Sequence, residues 1–234
     1  MFFDRVASVL WPARCAGCNA FVAEGTAFCE SCEISVVPLG ASCPGCALPV
    51  THGEPCSACQ RSAFAFARAW ASLDYGGALS QAILRWKHGG HRHIVRCLAR
   101  YVAPLLALAA KQGAELACPV PLHPRRLRQR GFNQALDLLR AARRQTPHRD
   151  SLRILCDALD RKVDTPSLGH GSPAERRRAV ADAFVVRRPA WIQGKNVLVM
   201  DDVMTTGATL SECARALLRA GARSVAVIAL ARVS

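Results

Sequence analysis

No stretch limits the fold of this chain more than Val197-Leu-Val-Met-Asp-Asp-Val-Met-Thr-Thr-Gly-Ala-Thr209. Val197 to Met200 are apolar without a break, and two of the four are β-branched. A strand with one wet face alternates, whereas an unbroken apolar run marks a strand buried on both faces of a parallel sheet. Asp201 and Asp202 stand at its carboxyl end, followed by a hydroxyl- and Gly-rich turn, Thr205-Thr206-Gly207-Ala208-Thr209. Leu210 to Ala220 then has helical spacing and stops at Gly221. A strand, a turn and a helix N-terminus in that order cradle an anion, because free N–H groups and the positive dipole end point at it. Adjacent carboxylates suit a sugar diol, each accepting from a hydroxyl. A plain strand-to-helix turn with a Thr cap and two surface acids would use the same letters, but five positions agree in the order that phosphate and diol binding want.

The second constraint is at the other end. Four Cys-x-x-Cys pairs occupy the first sixty residues: Cys15/Cys18, Cys29/Cys32, Cys43/Cys46 and Cys56/Cys59. Ten residues separate the first two pairs and nine the last two, an internal duplication. Two thiolates three apart grip a metal from one knuckle, and a second knuckle completes a tetrahedron. Disulfides or a redox pair are the competing readings; four evenly spaced pairs without a signal peptide argue against both. A segment this short and poor in large apolar residues needs a staple to fold. We expect a double zinc ribbon holding two structural ions. The simplest pairing puts Cys15, Cys18, Cys29 and Cys32 on one ion and Cys43, Cys46, Cys56 and Cys59 on the other; a crossed pairing satisfies the same spacing. His52 is read as a loop histidine, and Cys97, Cys118, Cys156 and Cys213 as core residues.

Composition adds bounds. The chain has 234 residues and a formal net charge of +14, from 31 Lys and Arg against 17 Asp and Glu. Two tetrathiolate zinc sites would add about −4, so the chain stays basic. That favours phosphate-bearing partners without naming one. Met1 to Arg14 carries Asp4 early and lacks a long apolar core, so no signal peptide is expected. The longest apolar run, Tyr101 to Ala110, is ten residues and contains Pro104, too short to span a bilayer. No membrane insertion and a cytoplasmic location are expected.

Between these ends, Arg61 to Arg68 reads as a linker, giving an expected division into a ribbon over 1–62 and a larger domain over 63–234. On that division, zinc loss should unfold the first sixty residues alone. Ala69 to Tyr75 reads as a strand, Ala78 to His88 as a helix, Arg92 to about Ala110 as another with a kink at Pro104, and Leu116 to Pro121 as a short strand. Leu122-His-Pro-Arg-Arg-Leu-Arg-Gln-Arg-Gly-Phe-Asn-Gln134 follows, then a helix to about Arg144. Its four arginines, Arg125, Arg126, Arg128 and Arg130, have the forked donors that grip a pyrophosphate; a basic surface loop is the plainer alternative. Ser224 to Ala231 closes the chain as a strand. Strand–helix–strand with short crossovers makes a parallel α/β sheet whose ligands bind at the carboxyl edge.

The Asp-Asp-Val-Met-Thr-Thr-Gly-Ala-Thr motif resembles the 5-phosphoribosyl-1-pyrophosphate (PRPP) loop of type I phosphoribosyltransferases. Pro119-Val-Pro-Leu-His-Pro-Arg-Arg-Leu-Arg-Gln-Arg-Gly-Phe-Asn-Gln-Ala135, Tyr75-Gly76 through Lys87, and the cysteine module narrow the resemblance to the competence-associated ComF family, over nearly the whole chain. It implies a type I phosphoribosyltransferase-like parallel sheet with helices on both faces, preceded by the ribbon. It implies that Asp201 and Asp202 hold the ribose hydroxyls, Thr205 to Thr209 the 5′-phosphate, and Mg²⁺ the pyrophosphate and ribose oxygens. Arg161-Lys-Val-Asp-Thr165 resembles the family's Arg-x-x-x-Thr element, a loop that closes over PRPP. Leu168 stands where the family has Gln, and Ala179 where it has Asn, so the resemblance carries PRPP binding further than turnover. His170 is read as a solvated loop histidine. Implied partners are PRPP or a related phosphorylated sugar, with single-stranded DNA or competence proteins in DNA uptake. An active phosphoribosyltransferase of nucleotide metabolism and a non-catalytic nucleotide-binding adaptor are the alternatives. Aromatics make up only 6 % of the chain and do not interleave with the basic run, which weighs against strong single-strand binding.

Overall fold

The computed structural model describes residues 13–50, 56, 59–60, 63–88, 90–146, 152–164 and 173–234. Five strands form one sheet: β1 (Arg68–Asp74), β2 (Leu116–Pro119), β3 (Arg153–Ile154), β6 (Asn196–Met204) and β7 (Ser224–Arg232), in the order β1-β7-β6-β2-β3. Every pairing in this sheet is parallel. Two short strands, β4 (Leu159–Arg161) and β5 (Phe184–Val186), make a separate antiparallel pair. Among the described residues the helices are α1 (Glu30–Glu33), α2 (Gly77–His88), α3 (Ile94–Lys111), α4 (Pro124–Arg130), α5 (Gln134–Gln145), α6 (Pro173–Val180), α7 (Pro189–Ile192) and α8 (Ala208–Arg219).

Strand β6 shows why Val197 to Met200 lacks alternation. Leu198 and Met200 join a core built with Leu79 and Trp86 of α2, Leu98 of α3 and Leu139 of α5. Val197 and Val199 join another, with Leu210, Cys213 and Leu217 of α8. Neighbouring strand residues project to opposite faces, so a strand covered on both sides must be apolar throughout. β7 repeats the pattern, sending Ile228 and Leu230 to the first core and Val225, Val227 and Ala229 to the second. β6 runs further than expected, through the acid pair to Met204, which is in register with Arg232 of β7. The long neighbour supplies ladder partners where apolar patterning has already ended.

The Arg-rich segment holds an element that its sequence does not announce. Residues 124–130 form α4, too short and too polar for periodicity to register. Pro124 occupies its first turn, where the missing N–H costs nothing, and the His123 ring accepts from Arg125 N at 3.4 Å. Gly131, at φ 78°, ends it in the left-handed conformation. Asn133 then caps α5, accepting from Leu136 N at 3.1 Å while its amide donates to Val120 O at 3.0 Å. Phe132 is buried and stacked on Trp86. The cysteines outside the ribbon divide: Cys118 and Cys213 are core residues as expected, whereas Cys97 is half-buried and Cys156 is exposed. Cys156 lies just past the two-residue edge strand β3, where nothing covers it fully.

The cysteine segment wraps the β1 edge of the sheet. Leu39 N donates to Ser72 O at 2.9 Å, Asp74 N to Val37 O at 2.9 Å, and Ala69 N to Pro44 O at 3.0 Å. Pro38 and Leu73 form an antiparallel bridge. From this seam the two duplicated halves part: Cys15, Ala16 and Phe28 enter the first core, and Cys43, Cys46 and Ala47 the second.

Candidate functional site

A cavity of about 710 Å³ opens at the carboxyl edge of β2 and β6. Asp201, Asp202, Thr205, Thr209, Arg126, Arg130 and Arg161 all line it, so one space gathers residues spread over much of the chain. Six further polar residues line it that the sequence did not mark as site residues: Tyr75, Lys87, His88, Gln129, Gln134 and Arg176. Arg125 and Arg128 do not line it and are exposed. The reason is helical geometry: Arg126 and Arg130, four apart on α4, share a face, while Arg125 and Arg128 lie on another. Thr165 falls outside the described residues, as do His52, Leu168 and His170.

The two acids differ. Asp202 is buried; its Oδ1 accepts from Gln134 Nε2 at 3.4 Å and its Oδ2 is ion-paired with the Lys87 ammonium. Asp201 is half-buried, and its Oδ1 accepts from Asp202 N at 2.9 Å. Burial, and then the neighbouring Asp202 charge, push the Asp201 carboxyl well above the usual carboxylate range. Burial acts on Asp202 in the same direction, but the Lys87 charge and hydrogen bond outweigh it and hold Asp202 below that range.

The turn that follows β6 is shaped by Gly207. Its φ of 74° lies in the left-handed region, and it caps α8. A Cβ there would meet Met204 Cε and Phe64 Cε1 at 2.9 Å, so the turn is closed from below as well as twisted. Ala208 N lies 3.4 Å from Thr206 Oγ1, and Ser211 N donates to Gly207 O at 2.8 Å. Arg232 supports the turn from behind: its buried guanidinium donates to the carbonyls of Met204, Thr205 and Val233 and to Cys46 O.

On the arginine side, Arg130 Nη1 donates to Gln134 Oε1 at 2.6 Å. Burial lowers the affinity of Arg130 and Arg161 for their protons, though a guanidinium keeps its charge in proteins. Asp164, three residues after Arg161, sits 3.6 Å from His123 Nδ1, 4.0 Å from Arg125 Nη1 and 3.7 Å from Arg126 Nε. A carboxylate therefore already rests against the arginine helix.

The eight ribbon thiols fall into two sets, Cys15, Cys18, Cys29 and Cys32, and Cys43, Cys46, Cys56 and Cys59, with the ligand atoms of each set within 4.8 Å of one another. Zn–S bonds of about 2.3 Å place tetrahedral sulfurs roughly 3.8 Å apart. The Sγ separations of 3.6 Å for Cys18–Cys29, 3.5 Å for Cys43–Cys59 and 3.3 Å for Cys46–Cys56 fit that geometry. A Cβ at Gly17 would meet Cys32 Sγ at 3.0 Å, and one at Gly45 would meet Cys59 Sγ at 3.0 Å, so each first knuckle needs its glycine. Four thiolates leave no open position, which fits a structural ion. Each set is tied to the larger part of the chain by one arginine. Arg85 of α2 donates to the carbonyls of Cys15, Ala16 and Gly17, and Arg232 of β7 to that of Cys46.

The parallel sheet, the acid pair, the glycine turn and the thiolate sets together define a phosphoribosyltransferase-fold protein with a double zinc ribbon. The double zinc ribbon domain model matches residues 6–60, and the phosphoribosyl transferase domain model matches residues 155–234. The chain is 34 % identical over 228 residues to DNA utilization protein YhgH of Escherichia coli, covering 94 % of this chain and 97 % of that one. It is 34 % identical to the Salmonella typhimurium protein of the same name, covering 87 % of this chain and 89 % of that one. It is 25 % identical to competence protein ComFC of Bacillus subtilis, covering 87 % of this chain and 83 % of that one. The chain belongs to the ComF family.

Lys87 and Gln134 escaped assignment from sequence for different reasons. Lys87 ends a helix, where a base is expected merely to meet the helix dipole. Gln134 follows four arginines whose charge is the stronger signal in that segment. Arg232 stands one residue past the strand expected over Ser224 to Ala231, which the structure extends to include it.

Proposed function

We propose that this protein binds PRPP with Mg²⁺ in the 710 Å³ cavity and serves DNA utilisation or uptake. The observation that carries the reading is the convergence of an acid pair, a glycine-capped helix turn and Arg126, Arg130 and Arg161 on one cavity at the carboxyl edge of a parallel sheet. Each part suits one part of the ligand. The turn at Thr205 to Thr209 offers backbone donors to the 5′-phosphate. Asp201 and Asp202 accept from the ribose hydroxyls, and the arginines bind pyrophosphate as charge gathers on it. Mg²⁺ would supply charge neutralisation to a bound pyrophosphate beside these arginines. The names of the relatives, a DNA utilization protein and a competence protein, favour a DNA role over general nucleotide metabolism. The outward-facing Arg125 and Arg128 are suited to a nucleic-acid backbone beside the cavity mouth.

The test is calorimetric titration with PRPP and Mg²⁺, on the wild-type protein and on Asp201→Asn/Asp202→Asn. Saturable binding that the double variant loses is expected; a folded, zinc-loaded wild type that takes up no PRPP would overturn the reading. The DNA role predicts binding of single strands that weakens steeply with salt and loses part of its salt slope in Arg125→Ala/Arg128→Ala. An unchanged slope in that variant would remove those two residues from the interface.

A further inference from the structure

Resting on the PRPP reading, a further role follows from how Asp202 is held. Its side chain is 4 % exposed, and both carboxylate oxygens are engaged from different helices. Oδ2 pairs with Lys87 in the last turn of α2, and Oδ1 accepts from Gln134 in the first turn of α5. Gln134 in turn accepts from Arg130 at 2.6 Å. The result is one continuous polar chain, Lys87–Asp202–Gln134–Arg130, along the cavity wall. It runs from the ribose-binding acid to an arginine of the pyrophosphate side.

Lys87 is held in place by its helix. Leu79, Ala82, Ile83 and Trp86 bury one face of α2 in the first core, and Trp86, fully buried, stacks on Phe132. The backbone under Lys87 therefore has little freedom, and its ammonium is delivered to Asp202 by packing. The other charged and titratable groups lining the cavity around the pair are Asp201 on β6, His88 on α2, Arg126 and Arg130 on α4, Arg161 on β4, Arg176 on α6 and Tyr75 beyond β1. Of these only Asp201 is an acid, and it adjoins Asp202. Without a cation in contact, two adjacent carboxyls at a buried site favour sharing one proton.

We infer that Lys87 is the positioning residue of the acid pair: it keeps the Asp202 carboxylate ionised and oriented for a ribose hydroxyl, acting through Asp202 rather than on the ligand. Gln134 performs the matching task at the other oxygen and couples it to Arg130. Ribose binding and pyrophosphate binding then share one network.

The experiment is a PRPP–Mg²⁺ titration between pH 6 and pH 8 on wild type, Lys87→Met, Lys87→Arg, Asp202→Asn and Lys87→Met/Asp202→Asn. Wild-type affinity across this range, including the titration of Asp201, sets the reference profile. Lys87→Met should bind about tenfold more weakly at pH 8, with the deficit growing toward pH 6 as Asp202 takes up a proton. Lys87→Arg should restore the wild-type profile, because the need is for charge. Asp202→Asn and the double variant should bind PRPP equally, since Lys87 has nothing left to hold. Carboxyl carbon NMR of Asp202, read without ligand, should show its titration move upward in Lys87→Met. The double variant, which removes both charges, guards against a folding failure of the single one. A Lys87→Met profile parallel to wild type, or an equal further loss on top of Asp202→Asn, would overturn the assignment while leaving PRPP binding intact. No binding by wild type would overturn the PRPP reading and this inference together.

Discussion

Arg232→Met is the substitution that most directly probes how the cysteine module and the turn after β6 are joined. Arg232 is 4 % exposed, and its guanidinium donates from Nε to Cys46 O at 2.9 Å, from Nη1 to Met204 O at 3.1 Å, and to the carbonyls of Thr205 and Val233. Methionine keeps much of the aliphatic stem and removes every donor. Met204 O would retain its bond from Val233 N at 3.0 Å, so the main losses are at Cys46 and Thr205. Two charge-assisted hydrogen bonds at about 1.5 kcal/mol each give a destabilisation of about 3 kcal/mol. For a chain of this size that lowers Tm by roughly 6 to 12 °C. Thermal and urea unfolding followed by circular dichroism would measure it, and a chromophoric chelator would time zinc release. Faster release of one ion of two is expected, since only the second thiolate set is tied to Arg232. A Tm within 2 °C of wild type (a shift of about 1 kcal/mol or less) together with unaltered zinc release would refute the claim that this arginine bears on both structures.

Three further outcomes follow from the same geometry. Gly207→Ala forces a side chain into a left-handed conformation, costing about 1 to 2 kcal/mol, and presses Cβ against Met204 and Phe64; urea midpoints should fall and PRPP affinity with them, and an unchanged midpoint would contradict the geometry of the turn. Asp201→Asn should stabilise the protein near pH 7. The folded-state pKa of Asp201 is raised, so the native state holds more protons than the unfolded one above the ordinary carboxylate value, and wild-type stability falls as pH rises through that window. The gap between the two proteins should close toward pH 4, and a gap independent of pH would show that charge burial is not its origin. Chelating the zinc should lower the main unfolding transition of the entire chain, because Cys15, Ala16 and Phe28 share a core with α2 and α3; an unchanged melting temperature for the larger part would instead show independent modules, as the division at residue 62 expects.

How far the sequence could be read depended on whether each signal was local. Val197 to Met200 disclosed a doubly covered strand, because burial on both faces leaves its mark in consecutive letters. The thiolate sets were legible for the same reason: metal geometry fixes short spacings. Asp201, Asp202 and the turn to Thr209 were expected as one site, and the cavity gathers Asp201, Asp202, Thr205 and Thr209 around the turn. What escaped was set by tertiary neighbours. Nothing near Lys87 in the chain indicates that its partner is Asp202. The four arginines of α4 look alike in sequence, and only a helix sorts them into Arg126 and Arg130 toward the cavity and Arg125 and Arg128 away from it. The expected core role of Cys156 failed because the edge strand β3 ends two residues before it.

The seam between the ribbon and β1 bears on the order in which the chain assembles. β1 leaves the ribosome early, but its ladder partner β7 is the last strand made; Arg68 is in register with Ala226. Pairing so distant in sequence is slow, and an unpaired strand is exposed to mispairing while it waits. Residues 37–44 are already synthesised by then, and they bond along the opposite edge of β1 through Val37, Leu39 and Pro44. A metal-stapled segment next door can therefore hold β1 extended during translation, before the rest of the sheet exists. On this view the amino-terminal placement of the ribbon matters in itself. A circular permutant that moves it to the carboxyl end should reach the same native structure with a lower refolding yield.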